Sequence, residues 1–281
     1  MQYGLTIFPT ADSMPMGELG PAAESRGFES LWVAEHSHIP ASRKSPWPGG
    51  AELPRMYYDT LDPFVALAAA GARTETLKLG TGICLVVQRD PIHTAKEIAS
   101  LDQVTQGRFL FGIGAGWNIE EMNDHGTAGE GRFGLMRERV EAMKVIWAEE
   151  KAEYHGKYVD FDPMFMWPKP VQKPHPPIHV GGGFPGAARR ALRYGNGWMP
   201  IAGRDDLENQ LEEFKKLADV EQRDPNSIEI SPYGVPPRPA AVERYVAAGV
   251  DRIVFGLPPA DGETLIPLLD QIVQTVEEVG A

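Results

Sequence analysis

Glu35, His36 and His38 stand together where an apolar run, Ser30 to His36, gives way to a loop. Histidine is the side chain whose ordinary pKa lies nearest neutrality, so His36 at a strand end is a candidate for taking or giving a proton. The H-x-H pair could also be two ligands of a metal, but it would need a third. His93, His125, His175 and His179 are scattered, and no H-E-x-x-H spacing occurs. No metal site is therefore expected.

Glycines mark the second kind of chemistry. The segment "IHVGGGFPGAARRALRYGNGW" starts at Ile178, passes through Gly181, Gly182 and Gly183 to Phe184, and continues as a helical pattern with Pro185 where a first turn would sit. Backbone N–H groups at a helix start have no partner inside the helix and carry partial positive charge, and glycine lets an anion come close to them. A plain strand-to-helix turn would look the same. "GIGAGW", Gly112 to Trp117, is a second glycine-lined strand end, but it does not complete G-x-G-x-x-G. "GTGIC" places Gly80 and Gly82 inside an apolar run, which marks either tight packing or the close approach of a flat ligand. Cys84, the one cysteine, lies in "ICLVV" and reads as a buried, inert thiol; no G-x-S-x-G elbow is present.

Alternating elements must position these groups. Strands are predicted at Tyr3 to Phe8, Ser30 to His36, "LKLGTGICLVV", "RFLFGIGAG", "IHVGG", "GWMPI", "IEISPYG" and "RIVFGL". Helices are predicted near Glu18 to Arg26, Asp62 to Arg73, "IHTAKEIASLDQVT", Leu135 to Glu150, Gly186 to Tyr194, Leu207 to Val220, Ala240 to Ala248 and Glu263 to Val279. The strands are apolar on both faces, as in a parallel sheet covered by helices. About eight β→α units in this length point to a (β/α)8 TIM barrel with loop insertions at the C-terminal rim, a single domain over residues 1–281, with an open doubly wound sheet as the competitor. Loop-rich insertions are read at Ser37 to Asp59 and Ala152 to Pro177, and the first falls at the C-terminal rim, where barrel enzymes keep their sites.

The totals agree with a globular protein. The 281 residues are 42% hydrophobic and carry a net charge of −12, which argues against nucleic-acid and anionic-membrane partners. An apolar run long enough for a membrane helix is missing, as is a basic-then-apolar leader, so a soluble, cytoplasmic protein is expected.

"DPFVALAAAGARTETLKLGTGICLVVQRDPIHTAKEIASLDQVTQGRFLFGIGAGW" resembles the central signature of the bacterial luciferase-like monooxygenase superfamily, and "KPVQKPHPPIHVGGG" with "RYGNGWMP" resembles its second signature. The flavour is similar to the branch using the deazaflavin coenzyme F420. The resemblance implies a (β/α)8 barrel, a homodimer, and a non-proline cis peptide bulging the third strand against the coenzyme ring, here Gly82–Ile83. It implies that Phe8, His36, Gly82, Ile83, Cys84 and Trp117 lie about the ring, and that Ala115, Gly116 and Gly181, Gly182, Gly183 and Phe184 hold its phosphate and tail. Glu35 and His36 match the acidic-His pair of the sugar-phosphate dehydrogenase members, in which the His moves the proton of the substrate oxygen, so the resemblance implies that Glu35 and His36 are the catalytic residues. Those members carry a glutamate where this chain has Trp117, which speaks against glucose 6-phosphate and for a more apolar substrate. The implied activity is F420-dependent hydride transfer to or from a small organic molecule. An FMN-dependent monooxygenase is the alternative, and an inactive ligand-binding barrel the alternative of another class.

Overall fold

The computed structural model describes residues 1–50, 52–203 and 206–280, the side chain of residue 208 aside; Ala51, in the first predicted insertion, and Ala281, the last residue of the predicted domain, lie outside them. In chain order the elements are β1 (Gln2–Ile7), α1 (Met16–Glu24), β2 (Ser30–Val33), α2 (Met56–Asp59), α3 (Pro63–Gly71), β3 (Lys78–Thr81), β4 (Cys84–Leu85), α4 (Pro91–Val104), β5 (Phe109–Gly114), α5 (Ile119–Asp124) and α6 (Arg132–Ala148). There follow β6 (Ala152–His155), β7 (Asp160–Met164), β8 (Ile178–Gly181), α7 (Gly186–Tyr194), β9 (Gly197–Met199), α8 (Leu207–Val220), β10 (Glu229–Ile230), β11 (Tyr233–Val235), α9 (Pro239–Ala247), β12 (Arg252–Gly256) and α10 (Gly262–Val279).

Local chemistry starts the helices where the sequence marks them. Asp62 and Asp90 each accept hydrogen bonds from the first free amides of α3 and α4, and each is followed by a proline at the position where a missing N–H costs little. Asn118 caps α5 by accepting from the Glu121 amide. The strands β2 and β5 are buried at every residue, which is why their sequences carry no polar alternation.

The strands form a curled parallel sheet in the order β9-β8-β5-β3-β2-β1-β12, with β4 alongside β5. β10 pairs with β9 at one end of this order, and β11 pairs with β12 at the other. These two are pieces of one extended stretch, 229–235, parted at Ser231 and Pro232, and Pro232 has no N–H to give to a ladder. The first strand of the chain and its last, β1 and β12, lie side by side.

Two apolar layers result. Inside the curl, Trp32, Leu110, Met199 and Val254 pack together with Ile83 and Tyr233. Outside it, the other face of the strands meets the helices in one larger cluster. Gly80 belongs to the inner layer: a Cβ there would sit 2.2 Å from the Trp32 ring, so its missing side chain makes room for an indole. Beneath, the fully buried Arg252 guanidinium binds Glu29, Glu229 and Gln2 and lies over the Trp32 ring.

Four expectations need correction. The third predicted strand is two strands broken at Gly82–Ile83, and the seventh is two strands broken at Ser231 and Pro232. The stretch after α6, expected to be irregular, holds the antiparallel hairpin β6–β7. That insertion lies between a helix and a strand, hence on the edge opposite the rim; only the first insertion rises from a strand's C-terminal end. The short helices α2 and α5 are additions to the predicted elements.

Candidate active site

The C-terminal ends of β1, β2 and β5 bring Phe8, His36 and Trp117 together under the first insertion. Tyr57, from α2 in that insertion, packs against all three: its ring centroid lies 4.6 Å from Phe8, 5.2 Å from His36 and 6.3 Å from Trp117. His36 and Trp117 meet edge to face at 5.7 Å, and Trp47 covers Tyr57 from the same loop, also at 5.7 Å. His36 is thereby only 8% exposed. The loop is fastened down by α5. The Glu120 carboxylate accepts from the Lys44 and Ser45 amides, and the Ser45 hydroxyl accepts from the Ile119 amide. The Ser45 contact and these amides bring the Glu120 carboxyl down to about 2.

His36 has a carboxylate partner that the sequence did not reveal. Its Nδ1 lies 2.7 Å from Oε2 of Glu121, a fully buried residue of α5. A carboxylate only accepts, so Nδ1 carries the hydrogen of this bond, and in the neutral ring the lone pair is on Nε2. The other oxygen of Glu121 accepts from the Ser37 amide at 3.0 Å. The sequence held one signal for this, Asn118-x-x-Glu121, a helix-start pattern.

Glu35 points the other way. One oxygen accepts from the Leu85 amide and the other from Arg89 Nε, both at 2.6 Å. Arg89 also holds Asp62 and Glu97. Glu35 thus ties the end of β2 to β4 and is engaged with these partners on the face away from His36. Cys84 is buried beside it. Burial, helped by the Glu35 charge, raises its thiol well above the ordinary range, in keeping with an inert residue.

The peptide between Gly82 and Ile83 is cis. Tyr233, across the curl, donates its hydroxyl to the Gly82 carbonyl at 2.6 Å and contacts Thr6 Oγ1. A Cβ on Gly82 would fall 2.4 Å from that same hydroxyl, and one on Gly112 would fall 1.8 Å from the Thr81 carbonyl oxygen. Ile83 then lies across Gly114 and Gly181, where a Cβ would come within 2.5 and 2.7 Å of it. The glycines of three strands thus allow one bulge to lean over the mouth. Tyr233 is a second site residue that sequence reasoning did not find.

Next to it is the triple-glycine turn. Gly182 has φ +124, a conformation that side chains disfavour, and its carbonyl accepts from Trp198 Nε1. Pro185 precedes α7, and the Phe184–Pro185 peptide is cis. Among the described residues no acceptor meets the amides of Gly183 and Phe184. Near Gly116, φ +69, the buried Gln88 Nε2 has no partner, and the same holds for Asn118 Nδ2. Arg190 of α7 reaches to 3.4 Å of the Cβ position of Gly186, and its Nε is also unpartnered. Unmet donors beside a helix start and an arginine suit a polar anion. No group of three or more His, Cys, Asp or Glu that could hold a metal occurs among the described residues. A hollow of about 420 Å³, lined by Gln2, Asn196 and Glu229 among others, opens at the strands' N-terminal ends, away from these groups.

Residues 10–254 match the family model described as luciferase-like monooxygenase. The chain belongs to this family. An uncharacterised protein of Mycobacterium tuberculosis (strain ATCC 25618 / H37Rv) is 36% identical over 276 residues, 97% of each chain. The F420-dependent hydroxymycolic acid dehydrogenase of the same strain is 30% identical over 215 residues, 74% of this chain but 54% of that one, so the chain spans about half the length of that relative. Among solved structures, the monooxygenase RslO1 from Streptomyces bottropensis superposes with a TM-score of 0.80 at 22% identity, covering all of both chains, and so shares the fold. No helix among the described residues is long and apolar enough to cross a membrane.

Proposed function

We propose that this luciferase-like oxidoreductase is an F420-dependent dehydrogenase or reductase of a small, largely apolar alcohol or carbonyl compound. The observation that carries the reading is the Glu121–His36 pair, buried under an aromatic cover next to the Gly82–Ile83 bulge. A group set to hold or move one proton at a water-poor site is what alcohol–carbonyl interconversion asks of a protein. The F420 dependence named for the mycobacterial relative supports the choice of coenzyme.

The residues fit such a coenzyme. The amides of Gly183 and Phe184, with the turn Gly181–Gly182 and the start of α7, would hold its phosphate; Ala115, Gly116 and Arg190 would border the tail; and Ile83, backed by Gly82, would support the ring. The bound coenzyme supplies a carbon that accepts or gives hydride. The chain does the rest. His36 Nε2 holds the substrate hydroxyl and takes or returns its proton, Glu121 keeps the imidazole in the tautomer with Nε2 open, and Tyr57, Trp47 and Trp117 exclude water. We read Glu35 as a positioning residue, because its carboxylate is engaged by Arg89 and Leu85. Trp117 favours an apolar substrate over a sugar phosphate.

We further propose that the sheet closes as a (β/α)8 barrel within a single domain, since the stretch 229–235 pairs with β9 and β12. The family's homodimer is part of the same reading, tested by light scattering. The second reading is an FMN-dependent monooxygenase, favoured by the family's name. Titration with each coenzyme separates the two.

A further inference from the structure

His36 lies under the aromatic cover and is 8% exposed, yet a group that gains a proton at each turnover must lose it again. The structure offers an exit on the side away from the aromatic cover. From His36 Nδ1 the path runs 2.7 Å to Glu121 Oε2. From Glu121 Oε1 it runs 3.3 Å to the Ser37 hydroxyl. That hydroxyl is 2.9 Å from His38 Nδ1 and 2.7 Å from His125 Nε2. His38 Nε2 in turn meets Asp124 at 3.0 Å, with side chains 40% and 59% exposed. A buried carboxylate thus joins an enclosed imidazole to the hydroxyl of the exposed Ser37, which two surface imidazoles flank. A hydroxyl has one hydrogen to give and two lone pairs to receive, and Ser37 faces three partners. It can donate to only one of them at a time and accept from the other two, so its hydrogen can change direction among them.

We propose that Glu121, Ser37 and the pair His38/His125 form a proton relay between His36 and solvent. The proposal rests on the reading of His36 as the proton-handling group. In the oxidising direction the substrate O–H bond breaks and His36 Nε2–H forms. The Nδ1–H bond then breaks as a Glu121 Oε2–H forms, which leaves His36 as the Nε2–H tautomer; the carboxyl group turns to carry this hydrogen to the Ser37 side, and the ring returns to the Nδ1–H tautomer before the next turnover. The Glu121 proton passes to Ser37 Oγ while the Ser37 hydrogen moves to His38 Nδ1 or His125 Nε2, and the surface imidazolium releases it to water. No electrons move along this path; one proton goes from substrate to solvent, and the reducing direction runs the same steps backwards. Asp124 steadies the imidazolium at the outer end. Two imidazoles in parallel make either one dispensable.

The test needs neither coenzyme nor substrate, so it is independent of whether the oxidoreductase reading holds. In protein labelled with ¹⁵N-histidine, exchange of the His36 Nδ1–H with water is measured by saturation transfer. Ser37→Ala should slow that exchange by about tenfold or more, because the hydrogen then leaves only through local opening. Ser37→Thr should restore the wild-type rate, each single variant His38→Ala and His125→Ala should stay near it, and the double variant should be slower than either single one. A resonance broadened by exchange in the wild type and sharpened in Ser37→Ala counts as slowing. Equal exchange in wild type and Ser37→Ala, or equal broadening in both, overturns the relay.

Discussion

Nδ1 of His36 and Oε2 of Glu121 lie 2.7 Å apart, joining the end of β2 to a six-residue helix 85 positions later. This contact fixes which imidazole nitrogen faces the mouth. Glu121→Ala should leave the ring free to exchange tautomers, which ¹⁵N shifts of His36 would report. Turnover of any substrate the wild type accepts should fall on the order of 10- to 100-fold, with coenzyme binding retained. A single unchanged tautomer in the variant would refute the role given to Glu121.

His36→Ala removes the proton-handling group itself and should cost about 10²-fold or more in turnover. Coenzyme affinity should change little, because the phosphate cradle lies on β8 and α7. Unimpaired turnover would take His36 out of the chemistry.

Much of this was legible in the sequence, and the reasons are physical. The strands that carry the site are buried on both faces, so they read as plain apolar runs. The helices that follow them open with Asp-Pro pairs, at Asp62 and Asp90. His36, Trp117 and the triple glycine were singled out because a strand end in this arrangement is an address. Glu121 was not, because its helix is short and polar, "IEEMND", and its partner is distant in the chain. Tyr233 was missed for a similar reason: nothing in "SPYGV" announces that its hydroxyl will reach the Gly82 carbonyl across the curl. Pro163 obscured the alternation of β7, although Tyr154 and Phe161 sit opposite each other in the hairpin.

The cover over His36 should be loosened without unfolding the protein. Glu120→Gln weakens its hold on the Lys44 and Ser45 amides, and we expect faster deuterium uptake over residues 38–50. The melting temperature should move by less than about 2 °C, because this loop belongs to the low-stability part of the molecule. Uptake equal to wild type would mean that the loop is held by its aromatic packing alone.

Acid should unfold the protein through groups beneath the inner core. Burial, with the nearby Arg252 charge, lowers His179 from 6.5 to about 3, so it stays neutral when folded while the unfolded chain takes up a proton. Glu29 feels burial pushing it up, but its bonds to Arg252 and Lys78 win and bring it from 4.5 down to about 2. Both folded values are depressed, so both contributions are complete above the unfolded pKa and fade as pH falls. His179 acts from pH 6.5 to about 3, and Glu29 from pH 4.5 to about 2, the latter contributing on the order of 3 kcal/mol. Urea midpoints measured from pH 8 to pH 3 should fall on acidification. His179→Gln should flatten the upper part of that slope, and an unchanged slope would exclude His179 as its source.

The central claim is that amides of the Gly181–Phe184 turn and the bulge at Ile83 receive a phosphorylated deazaflavin. The most direct measurement is a titration of the purified protein with coenzyme F420 and, separately, with FMN, following the fluorescence of each ring. It should be repeated on Gly181→Val, whose side chain would collide with Ile83. We expect saturable F420 binding, weaker FMN binding, and an F420 affinity at least about tenfold lower in the variant, or about 1.4 kcal/mol. Tight FMN binding with none of F420, or an affinity indifferent to the Gly181 substitution, would contradict the account.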